Sequence, residues 1–243
     1  MIVALPARAK LNLDLRVIGR RRDGFHDIKT TMQTIELHDL LLIEAADATA
    51  LTVSGMALPA TGDNSVLKAH AALQRAVKRP LPARFHLHKR IPAGSGMGGA
   101  SSDAATTLIG LKSLFALDVD LGPVAEEAGS DVPFFLAGRG AACVEGRGER
   151  VTPVPATDAW FAIAWPGIEL STQAVYETWD EVKGDDLRKA AERVEARLGT
   201  FAANLGDGWR MTGSGSAFFK LMGSREEADR AVAGLDCWTV VTR

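Results

Sequence analysis

The stretch "RIPAGSGMGGASSDAAT", residues 90–106, restricts the fold of this chain more than any other. From Gly94 to Ser102 it holds four glycines, three serines, one alanine and one methionine. Such a segment has almost no side chain to pack and much backbone to expose. It stands between an alternating run, "ARFHLHKRI", and an Ala/Leu-rich run, "AATTLIGLKSLF". Alternation marks a half-buried strand, and the second run has helical length, so the chain passes from strand to helix through bare backbone. Small residues let main-chain N–H groups approach a ligand. A helix starting directly afterwards adds free N–H groups and the positive end of its dipole, a combination suited to phosphate oxygens. The alternative, a flexible connector, fits poorly with so tight a placement.

Two standard phosphate loops come close and fail. "GSGMGG" (Gly94–Gly99) satisfies G-x-G-x-x-G, the dinucleotide fingerprint, and Asp118 lies at a suitable distance. That fingerprint requires a compact strand–turn–helix–strand unit, whereas "FALDVDLG" after the helix is a poor buried strand. The P-loop pattern nearly fits from Gly94, but Ala100 stands where its lysine belongs.

The remaining chain alternates between strand and helix signals. "KLNLDLRV" places Leu11, Leu13, Leu15 and Val17 on one face and Lys10, Asn12, Asp14 and Arg16 on the other. "GRRRDGFH" is a turn, and strands follow at "IKTTMQTIEL", "DLLLIEA" and "ALTVSG". "DNSVLKAHAALQRAVK" predicts a helix capped by Asn64 or Asp63. Helices are expected from about Ser101 to Phe115, near "GPVAEEAG", and at "SDVPFFLAG", where Ser130 can cap and Pro133 fits only near a helix start. "GAACVEGRGERVTPV" predicts strand, turn, strand; "AWFAIAWPG" a buried strand; "STQAVYETWDEV" and "LRKAAERVEARLGTFAANL" amphipathic helices. "WRMTGSGSAFFKLM" predicts two strands about a Gly/Ser turn, "SREEADRAVAGL" a helix and "WTVVTR" a last strand. Hairpin-type strands mixed with helices argue α+β. At 243 residues the chain makes one large domain or two of ~150 residues each. A boundary in "TPVPATD" divides it into 1–155 and 156–243.

The formal net charge of −2 gives no broad attraction to nucleic acid or anionic lipid. Cys143 and Cys237 belong to no CxxC and suggest buried thiols in a reducing compartment. No apolar run approaches the ~18 residues of a membrane span, and the charged N-terminus reads as mature structure, so a cytoplasmic protein is expected.

The loop "PAGSGMGGASSDAA" resembles the second motif of the GHMP kinase superfamily, the small-molecule kinases that include homoserine, mevalonate and galactose kinases. "ARAKLNLDLRVIGRRRDGFH" (Ala7–His26), "GSDVPFF" (Gly129–Phe135) and "RMTGSGSAFF" (Arg210–Phe219) resemble the first motif, the acidic helix start and the third motif, in family order. Together they resemble the branch acting on a cytidine diphosphate-linked polyol. Phe25 stands where that branch usually has tyrosine, and Arg8 where it usually has proline. The resemblance implies a two-lobed GHMP kinase-like α+β fold, with a ribosomal-protein-like N-terminal ATP-binding lobe (1–155) and a ferredoxin-like C-terminal lobe (156–243). It implies ATP and Mg²⁺ as cofactors and a small-molecule partner, with neither nucleic acid nor membrane. A monomer or weak homodimer is expected.

The resemblance also implies site residues. Lys10 and Asp131 form the catalytic pair. Asp131 accepts the proton of the acceptor hydroxyl or orients that hydroxyl, and Lys10 neutralises the transferring γ-phosphate. Lys10 and Asn12 share one strand face, about 6–7 Å apart, so both can point into one site. Without the motif, a lysine there is a solvated side chain and Asp131 a first-turn acid favouring the helix dipole. Pro92, Ala93, Gly94, Ser95, Gly96, Met97, Gly98, Gly99, Ala100, Ser101 and Ser102 are expected around the triphosphate. Ser102 and Asp131 are expected as Mg²⁺ ligands. Asp103, Asn64 and Lys89 match positions near the adenine and ribose; the alternatives are a first-turn acid, a helix cap and a solvated strand end. Thr212, Gly213, Ser214 and Gly215 form a turn toward the reacting phosphates, or a plain hairpin turn. Phe25 and Tyr176 match rings that sandwich the cytosine, and His26 the position that hydrogen-bonds its edge. His38, His70, His86 and His88 lack ligand spacing and read as structural.

Overall fold

Strict alternation at the N-terminus produces a long strand, β1 (Ile2–Arg20), well beyond the eight residues of clearest pattern. A turn at residues 21–25 follows, where Asp23 Oδ1 accepts from Phe25 N at 3.1 Å and Arg21 N donates to Phe25 O at 2.7 Å. Two strands were to be expected from "IKTTMQTIEL" and "DLLLIEA", yet they are one, β2 (His26–Ala45). The polar pair His38–Asp39 does not break it, because alternation holds and the Asp39 side chain is buried with partners. There follow β3 (Ala50–Gly55), α1 (Ser65–Val77) and β4 (Ala83–Lys89). Then come α2 (Gly99–Leu114), α3 (Gly122–Ala128) and α4 (Val132–Ala137). The second half supplies β5 (Ala141–Gly146), β6 (Arg150–Pro153), β7 (Trp160–Trp165) and α5 (Thr172–Val182). It continues with α6 (Arg188–Val194), α7 (Arg197–Leu205), β8 (Arg210–Met211), β9 (Phe218–Met222), α8 (Arg225–Val232) and β10 (Trp238–Thr242). These elements come from a computed structural model that describes residues 2–56, 63–138 and 140–243.

The single amphipathic helix expected over "LRKAAERVEARLGTFAANL" is two helices. Glu195 is extended, and its carboxylate accepts from Arg197 N at 3.1 Å and Arg197 Nε at 2.9 Å. That local bond competes with helical continuation and starts α7 afresh.

The chain divides into two compact units that interleave in sequence. The first comprises Met1–Ala9, Leu37–Ala93 and Gly98–Arg139; the second comprises Lys10–Glu36, Gly94–Met97 and Gly140–Arg243. In the first, the second half of β2 pairs antiparallel with β4, and β4 pairs parallel with β3. Helices α1 to α4 belong to this unit, and α1 and α2 pack together. In the second, the first half of β2 pairs antiparallel with β5, and β5 with β6. A separate antiparallel sheet has the order β10-β7-β9-β8. Its core joins Ala162, Ala164 and Phe218 to Val175, Trp179, Ala190 and Leu198 of the helices.

This order excludes the dinucleotide-binding unit that the glycine pattern allowed. The dinucleotide fingerprint demands that the helix after the loop lead to a parallel strand. Here α2 leads to α3 and α4, and the next strand, β5, pairs antiparallel with β2. The architecture is α+β, as the element order implied.

Candidate active site

In the second unit, Gly94–Met97 packs against the turn at residues 212–217, main chain on main chain. Gly94 O accepts from Leu170 N at 3.1 Å and from Ser216 N at 3.2 Å, and Ser95 O accepts from Ala217 N at 3.0 Å. Gly96 has φ +77°, and a Cβ there would stand 2.2 Å from Thr212 O. Only glycine fits this approach. Ser95 and Met97 are buried, so their side chains serve packing, while Gly94 is exposed.

Lys10 and Asn12 lie under this junction, both buried. Lys10 Nζ donates to Asn12 Oδ1 at 2.5 Å, and Asn12 Nδ2 donates to Thr30 Oγ1 at 2.9 Å. Asn12 N donates to Thr212 Oγ1 at 2.9 Å, and Lys10 N to Met97 O at 3.0 Å. A Cβ on Gly213 would lie 3.2 Å from Lys10 Nζ, so the third motif turn is in contact with the lysine. Its hydroxyls are spent within the protein: Thr212 on Asn12 N, Ser214 with Thr172 Oγ1 at 3.0 Å, Ser216 on Ile168 O. Thr212 to Gly215 therefore offers backbone rather than side chain.

The cytosine candidates also fall in the second unit. His26 is buried, with its ring 5.0 Å from Tyr176 and edge-on to Trp179 at 5.6 Å. Its Nε2 lies 2.9 Å from Asp180 Oδ1, and Asp180 Oδ2 lies 3.2 Å from Arg20. Burial pushes the Asp180 carboxyl up, but the His26 hydrogen bond and the charges of His26, Arg20 and Lys183 outweigh it, leaving it below the usual carboxylate range. Phe25 is 48% exposed, and the Arg147 guanidinium sits 5.2 Å over its ring.

The first unit carries the other half of the loop. Gly98 precedes α2 in a left-handed conformation, and no side chain caps the helix. Ser101 is half-buried and Ser102 buried at its start, while Ala100 is exposed. A Cβ on Gly129 would lie 3.9 Å from Ser101 Oγ, which sets the turn leading to Asp131 beside the helix start. Asp131 itself, not Ser130, is the residue before α4, half-buried, and its carboxylate does not cap that helix. Asn64 caps α1, its Oδ1 accepting from Val66 N at 3.0 Å.

Lys89 and Asp103 are buried rather than open. Lys89 Nζ donates to Asp103 Oδ2 at 2.7 Å and to Asp39 Oδ2. Asp39 Oδ1 accepts from Arg90 N at 2.6 Å and Ile91 N at 2.9 Å. Asp103 Oδ1 meets no hydrogen-bond partner among the described residues. An ionised oxygen so placed is costly. Burial accordingly pushes the Asp103 carboxyl up to about 7, with the Lys89 charge opposing and the Asp39 charge reinforcing. For Lys89, burial works to lower the ammonium, but the two carboxylates outweigh it and hold it above the ordinary lysine value.

Sequence reasoning did not single out Asp39, Thr30, Arg147 or Asp180. Asp180 had a signal, since it follows Tyr176 by four residues and shares its helix face. Asp39 had only its isolation within an apolar run.

Residues 64–139 match the family described as GHMP kinases N terminal domain. The 4-diphosphocytidyl-2-C-methyl-D-erythritol kinase of Shewanella loihica is 36% identical over 256 residues, covering 96% of this chain and 89% of its own. Its counterpart in Thermus thermophilus is 35% identical over 259 residues, covering 96% and 92%. A crystal structure of 4-(cytidine 5'-diphospho)-2C-methyl-D-erythritol kinase superposes with a TM-score of 0.82 at 32% identity, over 99% of both chains. A homoserine kinase from Cytophaga hutchinsonii gives a TM-score of 0.66 at 15% identity, over 99% of this chain and 93% of its own, a likeness of fold alone.

Two outcomes follow from this geometry. Gly96→Ala must drive a methyl group into Thr212 O at a positive φ, and is predicted to lower unfolding free energy by about 2 kcal/mol or more in urea titrations. The second concerns pH. Asp103 holds its proton up to about 7 in the folded protein, whereas in the unfolded chain it releases it near its ordinary value of about 4. Its contribution to stability is therefore complete below pH ~4 and is lost as pH rises through ~7. The stability of the wild type relative to Asp103→Asn is predicted to fall across that window, by up to about 1.4 kcal/mol per pH unit. A difference that stays flat from pH 4 to 8 contradicts it.

Proposed function

Because this chain belongs to the 4-diphosphocytidyl-2-C-methyl-D-erythritol kinases of the GHMP superfamily, we propose that it transfers the γ-phosphoryl group of ATP to the C2 hydroxyl of 4-diphosphocytidyl-2-C-methyl-D-erythritol, a step of non-mevalonate isoprenoid synthesis. The structural observation that best supports it is the junction of the glycine loop with the 212–217 turn over Lys10 and Asn12. It presents main chain and an ammonium together, as a transferring phosphoryl group needs. The functional division is one of 1–155, supplying the nucleotide residues, and 156–243, supplying Tyr176 and the third motif turn.

In the reaction the acceptor oxygen forms a bond to the γ-phosphorus, the bond to the β-bridging oxygen breaks, ADP leaves, and the hydroxyl proton departs. Asp131 orients that hydroxyl or takes its proton, and Lys10 offsets the charge on the γ-phosphoryl oxygens. Gly94 to Ser102 cradle the triphosphate, with the uncapped start of α2 contributing N–H groups. Among the described residues, no three His, Cys, Asp or Glu side chains form a metal-binding group. A Mg²⁺ ion held mainly by phosphate oxygens and water fits this donor set. Asp131 and Ser102 would hold it, and it would supply charge neutralisation at the β- and γ-phosphates.

The cytidine end is read by Phe25, His26 and Tyr176. Asp180 accepts from His26 Nε2, so in the neutral imidazole Nδ1 is the acceptor. An acceptor suits the exocyclic amine of cytosine and disfavours the carbonyl that uracil carries there. Among the described residues no helix is long and apolar enough to cross a membrane. A cytoplasmic monomer or weak homodimer is part of the same proposal.

The deciding assay is ADP release with this acceptor, homoserine and mevalonate. Turnover is predicted with the cytidine compound alone; a preference for either other acceptor overturns the assignment. Lys10→Met and Asp131→Asn should each depress kcat by at least about a hundredfold in folded protein. Near-normal kcat in either removes that residue from the chemistry.

Loss of a stacking face costs about 1–3 kcal/mol. Tyr176→Ala is therefore predicted to raise the KM for the cytidine acceptor about tenfold or more, with the KM for ATP nearly constant. Asp180→Asn should narrow the preference for the cytidine over the matching uridine acceptor. An unchanged ratio would show that Asp180 does not set the face His26 presents.

A further inference from the structure

Three buried side chains that the proposed reaction does not use close both ends of the glycine loop. Asp39 of β2 is wholly buried. One of its oxygens takes the amides of Arg90 and Ile91, the first two residues to leave β4. The other takes the Lys89 ammonium, which also donates to Asp103 in the opening turns of α2. A Cβ on Gly99 would stand 3.3 Å from Lys89 Nζ and 3.0 Å from Ile91 Cγ2. The ammonium therefore lies directly beneath the first residue of the helix. One carboxylate thus fixes the chain entering the loop and, through a lysine, the helix that leaves it.

Stability alone does not account for this arrangement. Buried ion pairs are commonly no more stabilising than well-packed apolar residues, because desolvation offsets their attraction. What they do fix is geometry, through charge-assisted bonds of defined direction. A loop of four glycines and small side chains has a wide choice of backbone conformations. Amides that meet an anion must already stand in place, since main chain that reorganises on binding gives up affinity.

We propose that Asp39 is the positioning residue of the phosphate loop, acting through Lys89 and Asp103, and that this trio sets the loop's amides without touching the nucleotide. The proposal rests on the reading of the loop as the ATP phosphate site. It differs from the implication of the family motif, in which Lys89 and Asp103 meet the adenosine. Lys89 Nζ is held by two carboxylates and is 3% exposed as a residue, and Asp103 is 1% exposed. Neither reaches a ligand without breaking that set.

The test compares wild type, Asp39→Asn, Lys89→Met and the double variant, with KM measured separately for ATP and for the cytidine acceptor. In Asp39→Asn the side-chain amide keeps the size of the carboxylate, but its NH₂ must face either the ammonium or the two backbone amides, so one end is released. The KM for ATP should rise about tenfold or more, while that for the acceptor stays within about twofold. Lys89→Met should do the same, and the double variant should cost less than the product of the singles, because both break one device. If Lys89 met the nucleotide directly, Lys89→Met would raise the KM for ATP while Asp39→Asn left it near wild type, and the proposal would fall. Equal rises in both KM values would reduce the trio to a general structural role and also overturn it. Hydrogen–deuterium exchange on nucleotide-free wild type gives an arm that needs neither a folded variant nor turnover. The Arg90 and Ile91 amides should exchange slowly, and rapid exchange there overturns the proposal. Wild type that fails to release ADP with the cytidine acceptor would instead remove the proposed function, leaving the exchange result to judge Asp39.

Discussion

A single carbonyl oxygen, that of Gly94, accepts two amides from distant parts of the chain, Leu170 and Ser216. Much of the candidate site follows from that convergence. Bringing main chain so close to main chain leaves no volume for side chains, and a Cβ on Gly94 would lie 2.8 Å from Glu169 Cα. The turn held in this way rests on Lys10 and Asn12, whose order depends in turn on Thr212 and Thr30. The bareness of the loop therefore has two causes. The proposed approach of phosphate calls for the uncapped start of α2. Chain-on-chain approach accounts for Gly94 and Gly96, whose missing side chains face Glu169 and Thr212. A run of glycines looks the same in sequence for either cause.

Local pattern made most of the elements legible. Alternation and capping gave β1, β4 and α1, with Asn64 at its predicted cap. The failures were places where a polar residue looked like a boundary, or where none was visible. His38–Asp39 reads as a break between strands, yet β2 runs through it because the Asp39 carboxylate accepts from Lys89 Nζ, Arg90 N and Ile91 N inside the protein. The helix at residues 188–205 reads as continuous, yet the Glu195 side chain bonds the backbone two residues on and divides it. In both cases a side chain-to-backbone bond decided the outcome, and hydrophobic periodicity does not register such bonds.

The candidate site was legible by residue type more than by role. Lys10, Asn12, Thr212 and Gly213 come together as the motifs imply, and His26 meets Tyr176. The partners that orient them came from elsewhere: Thr30 from β2 for Asn12, Asp180 from α5 for His26, Asp39 from β2 for Lys89. Each is a short polar side chain with an ordinary alternative in sequence, a strand-face threonine or a helical acid. Only tertiary pairing separates those from a functional partner.

The contrast between Lys10 and Lys89 shows why position in a motif does not fix a role. Both are lysines on alternating strands, both are buried, and both lie against the glycine loop. Lys10 Nζ donates to a neutral amide oxygen, and the Gly213 turn passes over it. Lys89 donates to two carboxylates, which cancel its field at close range and raise the demand for a further proton, expressed in the elevated Asp103 carboxyl. An ammonium neutralised in this way has little attraction left for phosphate, but it has direction, and direction is what a loop without side chains lacks. The sequence places a lysine next to the loop in each case, and the two carboxylates around Lys89 are visible only in the fold.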